Sequence, residues 1–343
     1  AEMNWRLVKP VDAQMDEDQQ EIVLKAAAGL KPSRRLGKMA DISEFGLDSP
    51  EMTLTLGVKG GKDISLQIGD ITPTREFRYA SLKSNKFHVF TIKISDIAKI
   101  NKPVFKLRDR SIVEVDSVDV QRIVVEPREQ ASFSVVRRDK ENWGMVTPVK
   151  DAADNTESDS ILSTLRWQKA VRFVKEDPKA GDLIAYGLDK PVYTVRLFMD
   201  KEGKKTDGIH MGMTTEGMAM DAQGKKRKTV LHYVRRLSGG PVMLVANAVL
   251  KDLPKVPFKL RKKNIIDFDV DHITRLEIET PAVVLNIKRQ AKKKWDMEIS
   301  RSGGKSVSLP ARHKHIDDVL WDIKWANAVE YVDEPKSEEM AKY

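Results

Sequence analysis

The side chains that could do chemistry are few and lie far apart. Six histidines are spread along the chain, at His88, His210, His232, His272, His313 and His315. Only His313 and His315 are close, and two side chains at that spacing on a helix do not share a face. No Asp, Glu or His joins them at metal-ligand spacing, so no zinc site is expected. Cysteine is absent, which removes thiol nucleophiles, disulfides and thiolate metal sites. Gly303-Gly-Lys-Ser306 resembles the end of a phosphate-binding loop, but Ile299 stands where that motif needs its first glycine. It reads as a turn. Asp267 with Asp269, and Glu277 with Glu279, alternate along what read as strands. Two carboxylates on one strand face could serve acid–base work on a glycan, or could simply face solvent. No serine elbow and no His-Glu-x-x-His is present. The sequence therefore names no catalytic, metal or cofactor-binding residue, and the expectation is a non-enzymatic protein.

Charge offers a different chemistry. The net +9 arises in residues 201–300, where 21 Lys and Arg stand against 12 Asp and Glu. It is concentrated in three runs: Lys225, Lys226, Arg227 and Lys228; Arg261, Lys262 and Lys263; and Lys292, Lys293 and Lys294. Such runs attract an anionic partner, whether lipid headgroups, an envelope polymer or an acidic protein. Solvated loop tips and strand edges carry lysine for a plainer reason, because it discourages edge-to-edge association. Nucleic acid is disfavoured, since no exposed aromatic residues interleave with the basic ones.

The chain that carries these residues repeats itself. Trp5-Arg-Leu-Val-Lys-Pro10 recurs as Trp143-Gly-Met-Val-Thr-Pro148, and Phe45-Gly-Leu-Asp-Ser-Pro50 as Tyr186-Gly-Leu-Asp-Lys-Pro191. Phe105-Lys-Leu-Arg108 recurs as Phe258-Lys-Leu-Arg261, and Trp143 recurs as Trp295. The offset grows from 141 to 153 between the second and third landmarks, so the second copy holds extra residues, placed in the Lys/Gly-rich stretch 200–228. A third copy begins and runs as far as Tyr343. The resulting division is 1–142, 143–294 and 295–343, the last a truncated start of repeat 3. The expectation is a piece of a longer protein.

Each copy reads alike. Acidic segments (15–18; 156–159) suit a helix N-terminus. Amphipathic helices follow at Ile22, Val23, Ala26, Ala27 and Leu30, and at Ile161, Leu162 and Leu165. Gly-Leu-Asp-x-Pro makes a turn. Strands are expected at 53–56, 63–69, 77–82, 86–92, 111–115, 120–126, 131–137 and 193–197, with short helices at 95–100 and 246–253. Trp143 and Trp295 read as core anchors, and so do Trp167 and Trp325 on the helices. Arg108 and Arg261 read as structural arginines or an anion site. Strands joined by hairpin-length loops imply antiparallel sheets. The expected fold is α+β, in tandem repeats that each pair an antiparallel sheet with one main helix. At 343 residues and 41 % hydrophobic content the chain can build such cores, and its longest apolar run is too short for a membrane span.

The order of these motifs resembles a bacterial family of tandem domains of unknown function, domain of unknown function 4340. The matching residues are Trp143, Pro148, Tyr186 to Pro191, Tyr233, Arg235, Leu260-Arg261 and Arg275 to Glu279. The resemblance implies an envelope protein with one N-terminal membrane anchor, a periplasmic repeat region, and genes near gliding-type or other ABC-transporter components. The implied role is an accessory or binding component of an ABC-type transport or envelope-assembly system, with a protein partner in a membrane complex. The alternatives are a soluble polyanion or nucleic-acid binder and a glycan-acting envelope enzyme.

Overall fold

The Gly-Leu-Asp turn shows how local chemistry sets the architecture. Gly46 and Gly187 adopt φ of 63° and 67°, a region that costs other residues energy. The turn carbonyls lie so close to the next hairpin that a Cβ on Gly69 would sit 2.2 Å from the Phe45 oxygen, and one on Gly212 only 2.1 Å from that of Tyr186. Met213 donates its N–H to the same Tyr186 carbonyl at 2.9 Å. The motif is thus a clamp between turn and sheet.

The computed structural model describes residues 5–220, 224–246, 251, 253–301 and 304–333. The chain divides into two units, 1–110 and 111–343. The first unit contains β1 (Arg6–Leu7), β2 (Ala13–Gln14), α1 (Glu17–Ala28), β3 (Arg34–Lys38), β4 (Met52–Leu56), β5 (Ile64–Ile71), β6 (Phe77–Leu82), β7 (Asn85–Lys93), α2 (Ile94–Ile100) and α3 (Val104–Leu107). Five of its strands form one antiparallel sheet, in the order β3-β7-β6-β5-β4.

The second unit opens with β8 (Arg122–Pro127), β9 (Phe133–Arg137), β10 (Trp143–Thr147), β11 (Asp151–Ala152) and α4 (Asn155–Trp167). It continues with β12 (Arg172–Lys175), α5 (Ala180–Ala185), β13 (Tyr193–Phe198), β14 (Thr206–Met220), β15 (Lys226–Arg236) and β16 (Gly239–Ala246). Its last elements are β17 (Arg275–Glu279), β18 (Val283–Ala291), β19 (Lys294–Arg301), β20 (Val307–Ala311) and α6 (His313–Trp325). A nine-stranded sheet runs β11-β10-β9-β8-β13-β14-β15-β16-β12, and a four-stranded sheet runs β17-β18-β19-β20. The half β13-β14-β15-β16-β12 repeats the order of the first unit's sheet, and the half β8 to β11 recurs as β17 to β20. The fold is α+β with antiparallel sheets throughout. The unit boundary at 110/111 falls inside the first sequence repeat, because β8 and β9 join strands that follow Trp143.

Helices α4 and α6 each pack on the half-sheet that precedes them. Ile161, Leu162 and Leu165 of α4 share a core with Trp143, Ile123, Val125 and Val195. Ile316 and Leu320 of α6 share one with Trp295 and Ile287. Among the described residues of the first unit only the two-stranded sheet β1–β2 precedes α1, and no side chain of α1 is fully buried, with Ile22 and Leu24 exposed. The caps of α1 and α4 are aspartates: Asp16 accepts from Gln19 N–H and Asp154 from Glu157 N–H, both at 3.1 Å. The second cap thus lies ahead of the acidic segment 156–159.

Several expectations are corrected. Residues 111–115 form no strand. They run as an irregular segment with Ile112 and Val113 buried, whose polar groups bond to side chains, with Glu114 N–H donating to Asp207 at 2.6 Å and Arg236 reaching the Ser111 carbonyl. Trp143 and Trp295 are buried, but Trp167 is 75 % exposed and Trp325 66 %. Trp167 stands two residues beyond buried Leu165 and so turns away from the sheet. Asp267 and Asp269 lie on no strand. Asp267 pairs with Lys262 at 2.7 Å, and Asp269 caps a short turn by accepting from Asp271 N–H at 3.0 Å. The short helix expected at 95–100 is α2, whereas most of 247–252 and part of the Gly303 turn lie outside the described residues.

Candidate docking surface

The extra residues of the second copy lengthen a hairpin. β14 and β15 have 15 and 11 residues, against 8 and 6 in their counterparts β5 and β6. The register sets Glu216 opposite Val230, Met218 opposite Lys228 and Met220 opposite Lys226. Directly opposed residues share a face. One face of the ribbon therefore carries Met218, Met220 and Val230, all exposed, beside Lys226 and Lys228. The other face turns Ala219 and Leu231 inward against Leu244. Lys228 reaches Glu216 across the ribbon at 2.5 Å. The basic run was legible in the sequence. The methionines beside it were missed, although their i, i+2 spacing in a strand was the available signal.

The other two runs sit elsewhere. Lys292 and Lys293 form the turn between β18 and β19, with Lys293 at φ 63°, and Lys294 opens β19. The run 261–263 is not an open anionic-partner surface. Arg261 is largely buried; its Nε donates to Asp151 at 2.5 Å, its Nη1 to Asp333 at 2.6 Å, and its guanidinium lies 3.6 Å from the Tyr331 ring centre. Burial works against its charge, but the two carboxylates win and raise its pKa. Lys262 pairs with Asp267, and Lys263 lies 3.6 Å from Asp154. Of the two readings of Arg261, structural arginine and anion site, the geometry fits the structural one.

Two concavities adjoin these elements. One of about 390 Å³ is walled by Pro127, Val192, Tyr193, Met211, His232 and Leu253. Burial pushes the Tyr193 hydroxyl well above its ordinary pKa, so it remains a donor, here to the Pro254 carbonyl at 2.5 Å. A more polar cleft of about 640 Å³ lies over the start of α4, where Asp154 already caps the helix N–H groups. Among the described residues no three His, Asp or Glu side chains converge as a metal site would require. No helix among them is long and apolar enough to cross a membrane.

The residues that mark the repeats have structural partners. Tyr186 stacks on Tyr233 with ring centres 4.6 Å apart. Arg235 donates to the Gly240 carbonyl at 3.0 Å. Trp143 donates its indole N–H to Asp159 at 2.9 Å and lies under Arg137.

These features define a tandem-repeat α+β protein whose repeated residues build turns and seams and whose copies differ in exposed ribbons. The chain belongs to the family described as Domain of unknown function (DUF4340), which it matches in two tandem segments, 5–191 and 178–343. No curated protein and no solved structure matches it.

Proposed function

We propose that this chain is the extracytoplasmic repeat region of a membrane-tethered protein that works by docking, as an accessory or binding component of an ABC-type transport or envelope-assembly system. The observation that carries the reading is the copy-specific ribbon, which sets exposed methionines beside Lys226 and Lys228. Exposed apolar groups next to like charges mark a docking face. The exposed Trp167 and Trp325, at matching helix positions, add a second surface of the same kind. For the cellular setting the proposal leans on what the family resemblance implies. Protease added to intact spheroplasts that make the full-length protein should degrade the repeats, and transporter subunits should co-purify with it. Protected repeats would overturn the extracytoplasmic reading, and recovery without a transporter subunit would overturn the partner.

A second reading, a soluble polyanion binder, is favoured by the four basic residues at the ribbon's end. It predicts cytoplasmic, protease-protected repeats and heparin binding that weakens steeply with salt.

A further inference from the structure

The two copies build the same stretch of sheet and finish it differently. Tyr193 faces Met211 across β13 and β14 as Met52 faces Ile68 across β4 and β5. After the same break in register, Thr214 stands opposite His232 as Ile71 stands opposite Arg78. Val192 and His232 are therefore the counterparts of Glu51 and Arg78. In the first unit Arg78 donates to both Glu51 oxygens, one of them at 3.0 Å, and to the Gly69 carbonyl at 2.9 Å. In the second unit a valine and a histidine take those places, and the concavity of about 390 Å³ lies against them.

Its lining has two characters. Val192, Tyr193, Met211 and Leu253 are apolar, and the one hydroxyl among them, that of Tyr193, is taken up by the Pro254 carbonyl at 2.5 Å. Arg128, Lys251 and Lys255 also line the concavity, are exposed, and stand against a single acid, Glu129. Arg128 is tied to the edge, where its Nε donates to the Pro191 carbonyl at 3.3 Å. Among the described residues none of these three cations has an ion-pair partner, unlike Arg261 and Lys262.

We infer that this concavity binds an amphipathic anion: one aliphatic chain enters the apolar lining, and a carboxylate or phosphate head stays among Arg128, Lys251 and Lys255. The volume falls in the range of small-molecule sites, ~300–1,000 Å³. Burial of the chain supplies most of the affinity, about fourfold per methylene. The cations select the sign of the head, and a guanidinium can hold either a carboxylate or a phosphate through two parallel hydrogen bonds. The Glu51–Arg78 pair fills the corresponding place in the first copy, so the site belongs to the second. It uses other side chains than the docking ribbon, and its loss would leave the docking reading standing.

The full chain titrated calorimetrically with octanoate, decanoate and decyl phosphate should bind one equivalent, about fifteenfold tighter for decanoate than for octanoate. The tighter of decanoate and decyl phosphate names the source, a free fatty acid or a phospholipid. Decyltrimethylammonium, with the same chain and the opposite charge, should bind far more weakly. Val192→Glu with His232→Arg installs the pair that the first unit already folds around, and should abolish binding with an unchanged circular dichroism spectrum. Arg128→Gln with Lys255→Gln, both at exposed positions, should weaken decanoate binding several-fold at low salt and little at high salt, and should keep the step per methylene. No binding by the parent chain, equal binding of the cationic amphiphile, or no gain with chain length would overturn the assignment. So would undiminished binding after Val192→Glu with His232→Arg, or unchanged low-salt binding after Arg128→Gln with Lys255→Gln.

Discussion

Arg261 holds two carboxylates at once, and only a planar fork can do so while lying flat on Tyr331. Arg261→Ala would leave Asp151 and Asp333 without their counter-charge and should cost about 2–3 kcal/mol. Arg261→Lys should recover less than half of that; full recovery by lysine in denaturant unfolding would refute the fork argument. Asp151 feels burial, which pushes its pKa up, but the Arg261 hydrogen bond and the Ala152 N–H bring it below the ordinary value. His210 is shifted the other way. Burial and then the nearby Arg196 charge lower its pKa from 6.5, against an opposing pull from Glu126. The unfolded chain then binds the proton more tightly, so stability is full above pH 6.5 and falls as pH drops through it. Thermal unfolding at neutral and mildly acid pH should show this loss, and His210→Gln should flatten it. Repetition exposed Trp143 and Trp295 as anchors, because a residue that returns at the same strand position is held there by packing. The same logic misplaced Trp167 and Trp325. Repetition marks that a residue matters, whereas the helix face it occupies follows from its phase relative to Leu165.

At the scale of elements, the turn clamp is the feature most open to test. A methyl group at Gly212 has the Tyr186 carbonyl in its way, and backbone cannot yield as a flexible side chain can. Gly212→Ala should destabilise by roughly 1–3 kcal/mol, and Gly69→Ala in the first unit by a similar amount. Gly181→Ala meets nothing within 4 Å and serves as the control; equal effects at all three positions would show that glycine content, not the clamp, was being measured. Most strands were legible, since their alternation and bounding turns follow from the chain alone. What the sequence could not reveal was which sheet each strand enters. The pairing of β8 with β13 spans the repeat boundary at 142/143, and no local pattern encodes a partner some 70 residues away. The phase of the helices was hidden for the same reason. It became visible through α1, which has the helix pattern but, among the described residues, only the two-stranded sheet β1–β2 before it, and none of whose side chains is fully buried. The ribbon was half legible. The change of offset located the added residues, but they lengthen strands rather than a loop, and that choice is what lines Met218 and Met220 along one face.

For the whole molecule the decisive quantity is where the charge stands, not its sum. Of the ten basic residues first grouped as one surface, Arg261, Lys262 and Lys263 are drawn into internal pairs, which leaves the ribbon and the β18–β19 turn. An anionic surface would therefore meet a narrow end of the ribbon rather than a broad basic face. Each lysine close to such a surface contributes on the order of 1 kcal/mol. Lys226→Gln with Lys228→Gln should accordingly weaken binding to phosphatidylglycerol vesicles by about 2 kcal/mol, or about thirtyfold. Removing Lys228 also leaves Glu216 without its counter-charge beside that surface, which adds to the loss. Salt discriminates the two contributions. The lysine part is screened within about 10 Å at 0.1 M salt, whereas thioether burial is indifferent to ionic strength. Met218→Ser with Met220→Ser should therefore remove the fraction of binding that survives high salt and leave the salt-sensitive fraction in place. If both double variants bind like the parent, the ribbon is not the docking face, and the exposed Trp167 and Trp325 become the surface to substitute next. If only the lysine variant fails, the contact is purely electrostatic, and the soluble polyanion reading gains over the membrane-side one.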